Sequence, residues 1–136
     1  MPNIIAKSKG ASGITSENAQ SEGESTTTAT TYQTKVTLSL TVGAGDIWDI
    51  FWSCEAYNNT NNATTGIIVQ NSTDIETISE GVVIMGDNSE PKGYKFHAGF
   101  KRQTFTTGGT KSIVIQWRAS TGTAYIRRAH ILAIKV

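Results

Sequence analysis

At 136 residues and 14.6 kDa, with a formal net charge of +1 and 17% charged residues, the chain has room for one sandwich-sized core and no charge excess that would point to nucleic acid or an anionic membrane. The single cysteine, Cys54, excludes an intrachain disulfide and a four-cysteine zinc site. No apolar run approaches a membrane span, and Ile4-Ile5 falls far short of the apolar core of a secretion signal.

Residues 1–31 are dominated by Ser, Thr, Gly, Glu and Ala, with Ile4, Ile5 and Ile14 as the only large aliphatics. Such a composition buries too little apolar surface to offset its chain entropy, which predicts disorder in isolation. The segment is therefore expected to be an extended arm that orders along a neighbouring subunit, with packing along its own domain as the alternative. Ile4, Ile5 and Ile14 would be its anchors, with Lys7 and Lys9 among its charges.

From Tyr32 onward the period becomes two. Tyr32, Thr34, Val36, Leu38, Leu40 and Val42 share one face of a half-buried strand. After the turn residues Gly43 to Asp46, a second strand over Ile47 to Tyr57 turns Trp48, Ile50, Trp52, Cys54 and Ala56 to the core. Its other face mixes Ile47, Phe51 and Tyr57 with Asp49, Ser53 and Glu55, more apolar surface than a solvated face normally shows. That predicts either a subunit interface at Phe51 and Tyr57 or coverage of this face by the N-terminal arm. Asn58 to Thr65 reads as a polar loop, and the glycosylation-like triplets at Asn58, Asn62 and Asn71 as loop markers. Short strands follow over Gly66 to Gln70, Ile75 to Ile78 and Val82 to Met85. Tyr94, Phe96, Ala98 and Phe100 then alternate with Lys95, His97, Gly99 and Lys101, and Ile113, Ile115, Trp117 and Ala119 with Val114, Gln116 and Arg118. Phe96, Phe100, Ile113, Ile115 and Trp117, with Leu132 of the last strand, are expected in the core. The last strand, to Val136, is apolar on both faces through Ile131, Leu132, Ala133 and Ile134, and is expected to be central and covered on both sides.

Constellations for chemistry are thin. Asp49 and Glu55 near Trp48 and Trp52 suggest a glycoside hydrolase pair, but six residues of extended strand put them about 20 Å apart, whereas such acids stand roughly 5 to 9.5 Å apart. His97 and His130 are the only histidines, too few for a metal site and without a nucleophile motif for a triad. Lys92, Lys95, Lys101 and Arg102 interleave with Tyr94, Phe96 and Phe100, yet strand parity sends lysines 95 and 101 and the rings to opposite faces, against a nucleic-acid platform. Arg127 and Arg128, adjacent in a strand, point to opposite faces unless a bulge intervenes. They need acidic partners, with Asp46, Asp49 and Glu55 available in the chain or across a subunit boundary. No catalytic residue, metal or cofactor is expected.

The pattern from Tyr32 on, and most of all Thr123-Ala124-Tyr125-Ile126-Arg127-Arg128-Ala129 entering the terminal strand, resembles small β-sandwich virion proteins of tailed bacteriophages. The resemblance implies a capsid decoration, or cement, protein, usually a homotrimer, that contacts the major capsid protein on the outside of the head shell. In that setting Ile4, Ile5, Lys7, Lys9 and Ile14 would form a shell-binding arm, and Phe51, Tyr57, Arg127 and Arg128 the subunit interface. The fold expected is an all-β, jelly-roll-like antiparallel β-sandwich of about eight strands, with an arm over 1–31 and a domain over 32–136. A tail-fibre or head-fibre module binding a receptor or carbohydrate is the alternative on the same fold.

Overall fold

In the computed structural model, which describes residues 13–86 and 93–136, period-two alternation becomes strands in two antiparallel sheets. β3 (Gln33–Val42) buries Val36, Leu38, Leu40 and Val42 and leaves Thr37, Ser39 and Thr41 exposed. The following turn is closed by Asp46, whose carboxylate accepts the Gly43 N–H at 2.7 Å, with Gly45 at φ +86°. β4 (Ile47–Asn58) then buries Trp48, Ile50, Trp52, Cys54 and Ala56 as the alternation requires.

β5 (Thr64–Asn71) is followed by β6 (Glu76–Met85), which joins the two short pieces expected there into one strand bent where Gly81 takes φ +50°. β7 (Lys95–Thr104), β8 (Gly109–Ala119) and β9 (Ala124–Lys135) complete the C-terminal half. Ahead of them all, β1 (Ser16–Ser21) and β2 (Ser25–Thr27) both pair with β9. The first sheet runs β1-β9-β4-β7 with β2 beside β1 along β9, and the second runs β3-β8-β5-β6. With β1 and β2 taken as one interrupted first strand, the orders are first-eighth-third-sixth and second-seventh-fourth-fifth. This is a jelly roll.

Residues 13–31, which composition assigns to an arm outside the domain, thus supply the sandwich's first strand as far as they are strand. The reason lies in the partner, not the segment: β9 would otherwise be a sheet edge with unpaired N–H and C=O groups. Polar residues pair with it as well as apolar ones, and only Ala19 packs against the core. The Lys35 ammonium ties down the loop between β1 and β2 by donating to the Gly23 carbonyl at 2.5 Å, and holds the start of β2 by donating to the Ser25 hydroxyl at 2.8 Å.

The core lies between the sheets and holds Val36, Leu38, Leu40, Trp48, Ile50, Trp52, Ile113, Ile115 and Trp117, as parity predicts. Trp117 satisfies its indole N–H on the Ala124 carbonyl at 3.1 Å. Three expected core residues are not there: Phe96 is 71%, Phe100 53% and Leu132 38% exposed. β9 is central but buries one face only, that of Ala124, Ile126, Ala129, Ile131 and Ala133. Phe105, beyond the end of β7, instead plugs one end of the core; its backbone N–H donates to the Asp46 carbonyl. Asn58 and Asn71 are fully buried turn builders, so these two triplets do mark loops: Asn58 donates to the Thr121 carbonyl at 2.9 Å, and Asn71 accepts the Thr73 N–H at 3.2 Å.

Candidate functional site

The outer face of the first sheet is where apolar side chains and charged groups meet outside the core. Cross-strand register sets its rows: Phe100, Phe51 and Leu132 stand side by side, then Ala98, Ser53 and His130, then Phe96 and Glu55 with Arg127. Phe51 and Phe100 pack at 4.9 Å between ring centroids. Between the rows of larger groups the small side chains of Ser53 and Ala98 leave a depression of about 280 Å³, walled by Phe51, His130 and Leu132 and backed by Trp52 and Gly99.

β7 reaches this face in the opposite phase to that expected, and Gly99 is the cause. It stands opposite Trp52 on the inner face, where a Cβ would collide with the Trp52 indole carbons, so the glycine makes room for the tryptophan. With Gly99 facing inward, His97 and Lys101 must follow, and Phe96 and Phe100 turn out. Lys101 is tolerated because β7 is an edge strand over β6, where its ammonium donates to the Thr77 carbonyl at 3.5 Å, whereas the His97 Nε2 is buried with no hydrogen-bond partner among the described residues. The interior glycine in an aromatic strand was the available sign of Phe96 and Phe100. The lysines at parity with it hid the sign.

Of the residues expected at a subunit interface, Phe51 is 37% exposed, whereas Tyr57 is 4% exposed and is not available to a partner. Tyr57 is covered from both sides, stacked on Tyr125 at 4.6 Å and edge-on to Tyr94 at 5.1 Å. Arg127 lies with its guanidinium 3.8 Å from the Tyr94 ring centre, and the Tyr94 hydroxyl donates to the Glu24 carboxylate. Burial, and then that carboxylate, push the Tyr94 hydroxyl well above its usual pKa.

A bulge does intervene between the arginines: two residues of β9 face one of β4, and Arg128 takes φ +51°. Both arginines therefore reach one carboxylate, Arg127 at 2.7 Å and Arg128 at 3.2 Å from Glu55, so their partner lies within the chain. The Arg127 hydrogen bond, followed by that of Arg128, holds Glu55 below its ordinary pKa. Asp49 is likewise gripped in two places by Arg102, at 2.7 and 2.9 Å. Neither acid is poised for proton transfer. Cys54 is fully buried, and burial raises its thiol to about 12, the state of an inert small side chain. Burial lowers the pKa of His97, while His130 pairs with Glu22.

Of the expected arm contacts, Ile14 is 64% exposed just ahead of β1, and Ile4, Ile5, Lys7 and Lys9 lie outside the described residues.

No family model matches the chain, and no curated protein sequence matches it. Solved structures do match. Eiger TNF from S. frugiperda aligns over 90% of this chain and 92% of its own at 9% identity, with a TM-score of 0.57. VP2 from the infectious bursal disease virus subviral particle aligns over 90% of this chain at 11% identity, also with a TM-score of 0.57. In the T=1 particles derived from that virus the alignment covers 99% of this chain at 10% identity, with a TM-score of 0.53. This chain spans only 32% and 40% of the two viral chains' lengths. The likeness is one of fold.

Proposed function

We propose that the chain is a bacteriophage structural protein, a capsid decoration (cement) protein that sits on the outside of the head shell, contacts the major capsid protein, and acts as a homotrimer with no enzymatic step. The observation that carries the reading is a jelly roll with a broad apolar patch left on one outer sheet face, on which Phe96 is 71% exposed. Such a patch is a surface for lasting contact with protein. The closing Thr123 to Ala129 motif, resembling phage virion β-sandwiches, and the sharing of the fold with a protein of virus particles support it.

The segment ahead of β1 is the shell anchor in this reading, through Ile4, Ile5, Lys7, Lys9 and Ile14. Fully extended, 15 residues reach about 50 Å, enough to cross a subunit boundary. The mechanism is mechanical: a clamp spanning adjacent shell subunits stabilises their bound, assembled state by mass action and so resists internal pressure. The test is binding of full-length protein and of a variant lacking residues 1–12 to phage heads stripped of it, with electron microscopy to locate the added density. Density on the head surface, and at least about a hundredfold weaker binding of the shortened chain, are expected. Density confined to the tail would replace the decoration role with a receptor-binding one.

A further inference from the structure

The apolar rows on the outer face of the first sheet cross three strands, from Phe96 and Phe100 on β7 through Phe51 on β4 to Leu132 on β9. The three phenylalanines are 71%, 53% and 37% exposed. With aromatic side chains of about 150–250 Å² each, that is on the order of 300 Å² of exposed ring surface before Leu132 is added. Such a patch already matches the largest that ordinary monomers carry, about 300–600 Å². It approaches the apolar half of a standard interface of about 800 Å² per partner.

Two of the four sheet edges, β7 and β6, are by contrast built against pairing. On β7 the residues Lys95 and Lys101 share the inner-facing register of Ala56 and Ile50, and β6 is bent at Gly81 and carries register shifts against β5. Inward charges and irregular edges of this kind discourage strand addition. Beside these two edges, the outer face is the better surface for association.

The face also fits itself. One flank, on β7, carries the projecting Phe96; beside it the depression of about 280 Å³ is walled by Phe51, His130 and Leu132. Apolar cavities of about 150 Å³ already admit a benzene ring. The charges on the face are answered within the chain, Asp49 by Arg102 and Glu55 by Arg127 and Arg128, so it offers a partner little net charge and suits one of the same balance. We infer that a second copy of this chain docks on this face, seating Phe96 of one copy in the Phe51–Ser53–Ala98–His130–Leu132 depression of the next. A flank-to-flank contact of this sort is heterologous and closes when the copies form a ring. The inference rests on the trimer of the reading above only for the ring's size.

Sedimentation equilibrium of the full chain, of Phe96→Asp and of Ala98→Trp, with thermal unfolding of each, tests it. Phe96 is mostly solvent-exposed, so its aspartate variant should keep the fold. An oligomeric parent whose mass falls about threefold in Phe96→Asp and in Ala98→Trp, at unchanged unfolding temperature, is the expected result. A monomeric parent at every attainable concentration overturns the inference, and so does an oligomer that survives Phe96→Asp. A Phe96→Asp protein with the parent's mass but weakened head binding assigns the face to the shell protein instead. Loss of the oligomer in variants of a protein never found on heads would leave this inference standing and remove the decoration role.

Discussion

Trp52 and Gly99 show how one contact decides which residues a partner can see. Trp52 is 7% exposed, and the indole occupies the space a Cβ at position 99 would need. Gly99→Ala must therefore push the indole or the strand aside, and is expected to cost about 1–3 kcal/mol of stability by denaturant titration, as overpacking does. Gly93→Ala, where a Cβ meets nothing within 4 Å, is the matched control and should be close to neutral. A neutral Gly99→Ala would mean that the indole is not held there. Trp52 itself was legible in the sequence, since its parity with Trp48 and Ile50 left one inward face for all three. Phe96 and Phe100 were not, because hydrophobicity ranks rings above lysines for the core whereas geometry at an edge strand can reverse that order. Phe105 was hidden differently: it lies in a turn, where no periodicity reports burial.

At the level of the element, β9 is the strand in which sequence and structure diverge most instructively. Adjacent arginines in a regular strand diverge, and the bulge at Arg128 brings both to Glu55. The adjacency of the two arginines made the bulge a stated possibility, but the residue in the left-handed conformation could not be read from the sequence. Glu55 has a lowered pKa in the fold, first through the Arg127 hydrogen bond, relative to an ordinary value of 4.5. The folded state then binds fewer protons than the unfolded chain as pH falls through that range. The contribution of Glu55 to stability is complete above its ordinary value and is lost as pH falls through its lower folded one. Glu55→Gln should reduce stability at pH 7 by about 1 kcal/mol, and flatten the acid limb of the unfolding profile below pH ~4.5. An unchanged acid limb would show that the clamp is not formed in solution. Arg127→Ala should cost more than Arg128→Gly, because Arg127 also packs on Tyr94, whereas glycine accepts φ +51° more readily than arginine.

For the whole molecule, the two-sheet architecture was legible because four strands from Tyr32 onward alternate, those led by Val36, Trp48, Phe96 and Ile113, and period two with turn punctuation permits little else. The first strand was invisible to the same reasoning. Ser16 to Thr27 has almost no apolar signal, and its strand character comes from the backbone of β9, a non-local partner at the far end of the sequence. Composition places a boundary at Tyr32 and implies that a chain without residues 1–31 folds unaided; the pairing implies the reverse. That deletion removes β1 and β2, leaves β9 as an open edge, and takes away the carbonyls of Thr15, Glu22 and Ala29 that accept the N–H groups of Lys135, Arg128 and Ala119. It also uncovers the inner side of β9, where Ala19 packs. Losing about 3 kcal/mol or more in this way should lower the unfolding temperature by at least about 10 °C, and the exposed β9 edge should make the shortened protein aggregate. Removing only residues 1–12 leaves every one of these bonds and should lower the unfolding temperature by less than the longer deletion does. Calorimetry on the two deletions beside the full chain separates the cases: equal unfolding temperatures for all three would mean that the sandwich is complete without its first strand, and that the pairing along β9 adds nothing to its stability.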